Sequence, residues 1–174
     1  MPTPPRTSID AIVSASRAIL ESHGLQGLTM QAVAQAVGVR APSLYKHVAD
    51  RDALVTLVAD AAARDLAAHL PSPEDLRGLA HGLRAWAAER PESYRLVFSG
   101  HGSLEVMAAT SMPVVTLGRT LGGEAHALDA ARLITAWVTG FISMELAGAF
   151  QLGGDVEAAF EYGIERLTSA LSAN

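Results

Sequence analysis

Residues 28–54, LTMQAVAQAVGVRAPSLYKHVADRDAL, contain the pattern that predicts the fold of the first part of the chain. Two helices that cross steeply need a small residue where they touch and a turn between them. Ala34 and Gly38 supply both, in the spacing Ala-x-x-x-Gly. A glycine at position 38 can adopt the left-handed conformation that ends a helix. The spacing therefore predicts two short helices, at about residues 29–37 and 42–48, joined by a turn.

The second of these helices carries polar side chains around one apolar residue, Leu44. Leu44 is expected to pack inward, which leaves its polar neighbours free to face a DNA groove and its phosphates. Pro42 in the first turn needs no partner for its nitrogen, and the free N–H groups around it favour a phosphate. Because Ala-x-x-x-Gly also occurs by chance in compact three-helix units, the motif alone leaves a purely structural role open.

Length and composition predict a folded chain of one domain, or of a small domain fused to a medium one. Of 174 residues, 49% are hydrophobic and 18% are charged, which suits a sizeable core. There is no cysteine, which excludes disulfides and thiolate metal sites and fits a reducing cytoplasm. Residues 1–7 are Pro-rich and have no apolar run after their arginine, so we expect a disordered arm and no signal peptide.

The net charge of −5 is unevenly distributed along the chain. Residues 1–48 contain four basic and two acidic residues, a net charge of +2, whereas the remainder contains nine arginines and sixteen acidic residues, a net charge of −7. This asymmetry predicts that any phosphate-binding surface lies in the N-terminal part of the chain.

The rest of the chain has helical periodicity, and no alternating strand pattern is present. The predicted fold class is all-α, an N-terminal three-helix helix-turn-helix domain joined by a helix to a larger helical domain. One mostly apolar run, residues 133–150, is long enough for a membrane helix. Because Glu145 lies inside it and Arg132 precedes it, a helix buried on several sides is the favoured interpretation, and we predict no membrane partner.

The segments LTM (28–30), VA (33–34), GVRAPSLYKH (38–47) and RDAL (51–54) together closely resemble the N-terminal signature of TetR-family repressors. The resemblance implies a homodimer that binds double-stranded operator DNA with a palindromic sequence and is released by a small-molecule effector. It also implies the domain roles: residues 8–52 for DNA binding, and residues 53–174 for effector binding and dimerisation.

The same resemblance assigns DNA contacts to eight residues. The predicted phosphate-backbone contacts are Thr29, Tyr45, Lys46 and His47. The residues predicted to lie nearest the bases are Arg40, Ala41, Pro42 and Ser43. Bidentate readout of guanine is mostly carried out by arginine, so Arg40 is the one candidate on this helix. Val48 stands where the family usually has Phe, and we expect a slightly smaller core contact there with no change of function.

The segment AWVTGFISMELAG, residues 136–148, resembles a C-terminal domain subgroup with the motif Trp-x-x-His-Gly. Thr139 replaces the histidine, so no role of that imidazole carries over. A helix with small residues on one side can approach a partner helix closely and form a symmetric four-helix interface with the last helix. A single-chain core is the alternative, because apolar periodicity does not distinguish the two. The predicted dimer-interface residues are Ala136, Gly140, Gly148, Phe160, Ile164 and Leu167.

A small-molecule site is expected among the large, adaptable side chains of the helical body. The predicted effector-binding residues are Trp86, Tyr94, Phe98, Met107, Met112, Trp137, Phe141, Met144 and Glu145. Each apolar member alone is more often core than ligand wall. For Glu145, a carboxylate in an apolar helix, pairing with an arginine is favoured over contact with a ligand.

Other function classes find less support in the sequence. The histidines lie in separate segments with no i, i+4 pair, and no glycine-rich loop follows a strand. We therefore predict no catalytic site, no metal site and no cofactor, although His81 or His101 could still meet a carboxylate in the folded chain. A helical interaction module that lacks DNA binding stays open, because the N-terminal part is only modestly basic.

Overall fold

The computed structural model describes residues 7–70 and 75–172, and in these ranges the chain forms helices and no strand. The prediction of a disordered arm lies outside the described residues except at Thr7, which is buried. The helices are α1 Ile9–Gly27, α2 Met30–Ala36, α3 Ala41–Leu44, α4 Arg51–His69, α5 Leu76–Glu89, α6 Pro91–Val97, α7 Leu104–Gly122, a 3-10 turn Glu124–His126, α8 Ala127–Leu146 and α9 Val156–Leu171. The prediction of an all-α fold is confirmed.

The described residues divide into two compact units. The N-terminal unit contains residues 7–65 and 90–107, and the C-terminal unit contains the other described residues. Helix α6 belongs to the N-terminal unit because it packs against α1. Residues of α4 and of α7 belong to both units. The domain ranges 8–52 and 53–174 remain predictions about function and are not the same as these units.

The core of the N-terminal unit is built from apolar residues of α1 to α4. Ile12, Leu20 and Leu28 of the first segment, and Leu44 and Val48 after the turn, are 0–2% exposed. Helix α1 is capped by Ser8, whose Oγ accepts from the amide of Ala11. The regular helix breaks at Gly24, where φ is 65°. These residues bury the side of each short helix that faces the others, which fixes how the helices are oriented.

Carboxylates connect α6 and the following loop to the N-terminal helices. The side chain of Glu21 accepts from the amides of Glu92 (3.2 Å) and Ser93 (2.8 Å) at the first turn of α6. Asp60, 7% exposed, accepts from both the amide and the hydroxyl of Ser103 at 2.8 Å. A carboxylate that satisfies free N–H groups in this way compensates the cost of its own burial.

The C-terminal unit is held by close contacts of α7 and α9 with α8. A Cβ added at Gly118 of α7 would meet the carbonyl oxygen of Ala127 and, at 2.8 Å, the nitrogen of Ala131. A Cβ added at Gly163 of α9 would overlap the Trp137 ring. Glycine is therefore required at both positions for the helices to pack as closely as they do.

Several predicted helix boundaries differ from the structure. Helix α3 ends at Leu44 rather than residue 48, and a turn follows. Helix α8 ends at Leu146 rather than residue 150, because Gly148 adopts a left-handed conformation with φ of 63°. Pro113 lies inside helix α7. Within the described residues, no helix is both long and apolar enough to span a membrane.

Candidate nucleic-acid interface and sensing residues

The turn between α2 and α3 has the geometry that the glycine spacing predicts. Thr29 caps α2, and its Oγ1 accepts from the amide of Ala32 at 3.1 Å. Gly38 has φ of 72°, and the next amide, that of Val39, donates to the carbonyl of Ala34 at 2.9 Å. Ala34 is 3% exposed. Ala34 and Gly38 therefore have the roles that the spacing predicts. Ala34 lies where the two helices pack, and Gly38 forms the turn between them.

Helix α3 holds one buried side chain and presents polar residues around it. Leu44 is fully buried, whereas the side chains that follow it, Tyr45, Lys46 and His47, are exposed. Arg40 is the N-cap of α3 and is exposed, and Pro42 lies in its first turn. Because Leu44 anchors this segment in the core, the backbone places its polar neighbours at the surface.

An open cleft of about 670 Å³ lies beside α3. It is lined by Thr7, Gly38, Val39, Arg40, Ser43, Lys46 and His47. Among the residues that the structure describes, neither Arg40 nor Lys46 takes part in an ion pair. Two cations that form no ion pair with any described residue, beside hydroxyl and imidazole groups, form a surface suited to phosphate.

The eight predicted DNA-contact residues lie on one short segment and its neighbour. Seven of them are in or next to α3, and Thr29 is the exposed cap of α2. Ala41 and Ser43 are half-buried, so backbone and hydroxyl atoms rather than long side chains are available there. The face thus presents few side chains of the type that reads bases in DNA and several of the type that contacts phosphates.

Arg51 is a residue whose role the sequence left unassigned. Its Nε donates to the carbonyl of Leu28 at 2.9 Å, and its Nη2 donates to the carbonyl of Leu25 at 2.7 Å. These bonds tie the start of α4 to the segment between α1 and α2. Arg51 belongs to the RDAL segment of the motif, but its carbonyl partners lie more than 20 positions away, so spacing alone does not reveal the contact.

The nine predicted effector residues are not brought together as one set. Tyr94, Phe98 and Met107 lie in the N-terminal unit and the other six in the C-terminal unit. Trp86 and Tyr94 are 0% and 2% exposed, so they are core side chains that offer no surface to a ligand in this structure. A second cleft, about 580 Å³, is lined by residues of α1, α4 and α6 and by their neighbour Arg90, and it includes none of the nine.

Part of the effector set does form an aromatic cluster in the C-terminal unit. Trp137 stacks on Phe160 with ring centroids 5.5 Å apart, and Phe141 lies 4.9 Å from Phe160 and 4.7 Å from Phe150. Trp137 and Phe141 are half-buried, and Met144 is 48% exposed. Such a cluster gives polarisable, partly accessible surface of the kind that binds apolar ligands.

Glu145 pairs with Arg84, as the sequence favoured. Arg84 Nε donates to Oε2 at 2.8 Å and Nη2 donates to Oε1 at 2.5 Å, a bidentate arrangement. The hydrogen bond from Arg84 lowers the pKa of Glu145, and its positive charge adds to the effect against the opposing effect of burial. Glu145 is therefore an ionised carboxylate that already has a partner.

The predicted interface residues separate into two groups. Phe160 and Ile164 are 0% and 2% exposed, because they pack into the core of their own unit, so they offer no surface to a second chain. Ala136, Gly140 and Gly148 are exposed, and Leu167 is half-buried. Only the second group can therefore lie at a surface.

Comparisons with known proteins agree with this geometry. The family described as "Bacterial regulatory proteins, tetR family" matches residues 12–58, and "Tetracyclin repressor-like, C-terminal domain" matches residues 76–167. The HTH-type transcriptional regulator Mb1846 of Mycobacterium bovis is 31% identical over 104 residues, which are 53% of this chain and 44% of that relative. The chain thus matches less than half the length of that relative.

Two further relatives cover more of the chain. The HTH-type transcriptional repressor DrrR1 of Streptomyces coeruleorubidus is 28% identical over 82% of this chain and 55% of its own length. The crystal structure of BioQ from Mycobacterium smegmatis has a TM-score of 0.72 at 26% identity, covering 96% of this chain and 98% of that one. With the helix-turn-helix and the larger helical part both matched, the chain belongs to the TetR family of DNA-binding transcriptional regulators.

Proposed function

We propose that the chain acts as a homodimeric repressor that binds a palindromic operator and is released by a small-molecule effector. The observation that carries the proposal is the exposed face of α3, with Arg40 and Lys46 free of acidic partners among the described residues and Leu44 fixed in the core beneath them. The name of the relative DrrR1 supports repression as the direction of control.

Phosphate contacts would supply most of the affinity for DNA. Tyr45, Lys46 and His47 would contact the DNA phosphate backbone, and Arg40, at the N-terminus of α3, would read a base. Because phosphate contacts release condensed counterions, binding would weaken steeply as salt concentration rises.

Selection of fragments from a genomic DNA pool by the purified chain tests this part of the proposal. Tyr45→Ala is expected to weaken binding to every selected fragment, and Lys46→Ala to do so while reducing the salt slope by about 1. Arg40→Ala is expected to relax preference at one base position, at a cost of about 1–3 kcal/mol. The control Arg119→Ala removes an exposed arginine that pairs with Glu124 and leaves DNA binding unchanged. Absence of sequence-specific retention contradicts the proposal.

For dimerisation we propose the exposed side of α8. Leu133 and Met144 are 47% and 48% exposed, and Ala136 lies between them. A Cβ added at Gly140 would meet nothing within 4 Å, so the packing of this chain gives no reason for a glycine there. A partner helix that approaches closely would supply that reason.

Sedimentation at micromolar concentration tests the interface. Gly140→Arg is expected to convert the dimer to a monomer, because it places a charged side chain in a close helix contact. A monomer also loses operator affinity, since two half-sites about 34–36 Å apart require two recognition helices. Ala88→Arg, at an exposed position of α5, is the matched control and stays dimeric. If the Gly140→Arg variant remains a dimer, the interface does not lie at this side of α8.

We propose that the effector contacts Trp137 and Phe141 of the aromatic cluster. The conformational change that it causes would be transmitted to the DNA-binding segment through α4, whose residues belong to both units. The chain has two tryptophans, so Trp86→Phe leaves Trp137 as the only indole. A compound that releases the operator is expected to change the fluorescence of that variant in proportion to DNA release. Release of DNA without any change in Trp137 fluorescence would place the effector elsewhere.

A further inference from the structure

A cluster of metal-ligating side chains joins α5 to α9 in the C-terminal unit. His81 of α5 lies against Glu157 and Glu161 of α9, and one ligand atom from each of the three lies within 4.8 Å of the other two. His81 Nε2 is 2.5 Å from Glu161 Oε1. The two glutamates are four residues apart, which places them on one face of α9, one turn after the other.

The histidine of this cluster is positioned by a buried aromatic ring. The His81 ring stands edge-on to Phe160, with centroids 5.4 Å apart at 87°, and Phe160 is fully buried. His81 remains about one-third exposed, so an ion from solvent can reach it. A ligand held by the core on one side and open to solvent on the other is suited to capture an ion.

The charges around the cluster do not balance within the described network. Arg77 and Arg84 face four carboxylates, Glu145, Glu157, Glu161 and Glu165, which leaves an excess of two negative charges when His81 is neutral. The cluster therefore has the excess negative charge that a divalent cation would neutralise.

The arginines leave one oxygen of each ligating glutamate for another partner. Arg84 donates to Oε2 of Glu157, and Arg77 donates to Oε2 of Glu161. The other oxygen of Glu161 is the one that faces His81. An arginine on the outer oxygen of a carboxylate is the kind of support that orients metal ligands in known sites.

We propose that His81, Glu157 and Glu161 bind a divalent transition-metal ion, with solvent in the remaining coordination position. One imidazole and two carboxylates suit zinc and similar ions, whereas magnesium and calcium prefer oxygen ligands alone. Binding requires the contact between His81 and Glu161 to open to about 3.3 Å, the separation of two ligands around a tetrahedral zinc ion. The ion would join α5 to α9, and the proposal does not depend on DNA binding.

Titration of the full chain, after treatment with a chelator, with ZnCl₂ tests the site by calorimetry. One zinc ion per chain is expected, and His81→Ala and Glu161→Gln are each expected to lower the affinity by at least about tenfold. His126→Ala is the matched control, because it removes an exposed histidine beside Asp129 and leaves binding unchanged. Equal zinc affinity in the wild type and His81→Ala overturns the proposal, as does the lack of saturable binding by the wild type.

Two additional measurements keep the result independent of folding defects. Glu157→Gln alters a side chain that is 57% exposed, and it is expected to weaken zinc binding while leaving the circular dichroism spectrum unchanged. Zinc is also expected to raise the unfolding midpoint of the wild type and not that of Glu161→Gln. If MgCl₂ binds as well as ZnCl₂ and its binding is unaffected by His81→Ala, the cluster is only an acidic surface and the proposal is wrong.

Discussion

The helix-turn-helix and the face formed by α8 and α9 use glycine in different ways. A Cβ added at Gly38 would meet no atom within 4 Å, so that glycine is needed for its backbone conformation, with φ of 72°. Gly163 is helical and is needed because the Trp137 ring occupies the space of a side chain. The first requirement acts within a few residues of the chain. The second arises only when Gly163 and Trp137, 26 positions apart on two helices, come together. The helix-turn-helix can therefore be predicted from residue spacing in the sequence, whereas the contact between Gly163 and Trp137 cannot.

The largest expected effect on the free energy of unfolding comes from the buried side of α3, and it can be compared with the exposed side. Leu44→Ala removes a fully buried side chain, and it is expected to lower the free energy of unfolding by about 2–5 kcal/mol. Tyr45→Ala changes a side chain that is 53% exposed, and it is expected to leave stability within about 0.5 kcal/mol while weakening DNA binding. Urea unfolding monitored by circular dichroism measures both. Equal losses of stability would show that the two sides of the helix are not distinct.

A smaller effect is expected from two glycines of the C-terminal unit. Gly163→Ala forces a methyl group into the Trp137 ring and is expected to destabilise the fold by about 1–3 kcal/mol. Gly140→Ala points into open space in the single chain, and in a helix interior it is expected to stabilise the monomer by about 0.5–1 kcal/mol. Urea unfolding at protein concentrations low enough to keep the chain monomeric compares them. A stable Gly163→Ala variant would mean that α9 can move away from Trp137 without cost.

The smallest effect concerns the ion pair between Arg84 and Glu145, which stands beside the aromatic cluster. Because the folded pKa of Glu145 lies below its ordinary value of 4.5, the pair stabilises the fold above that pH and the contribution is lost as the pH falls through the folded pKa. Both side chains are partly exposed, so Glu145→Gln is expected to cost about 0.5–1 kcal/mol at pH 7 and less at pH 3.

Unfolding in urea at the two pH values measures this difference. Glu105→Gln is the matched control, at an exposed glutamate of α7, and its stability is expected to follow that of the wild type at both pH values. A cost of Glu145→Gln that is the same at pH 7 and pH 3 would show that the carboxylate acts by packing and not by charge.

The sequence alone was enough to predict the all-helical fold, the two short helices with their turn at Gly38, and the segment that presents polar residues around Leu44. These features depend on the capping, periodicity and backbone preferences of neighbouring residues, which act at short range along the chain. The family was also predicted from this segment, because its residue types and their spacing together resemble the N-terminal signature of TetR-family repressors.

The tertiary structure alone decided which apolar residues are core and which are surface. Phe160 and Gly140 both belong to apolar helices, yet Phe160 is fully buried and Gly140 faces open space. The sequence likewise did not identify Glu161, 80 positions later, as the carboxylate that His81 meets, or the distant carbonyls to which Arg51 donates. The physical reason is that a helical period defines a face of a helix but not the neighbour against which that face packs.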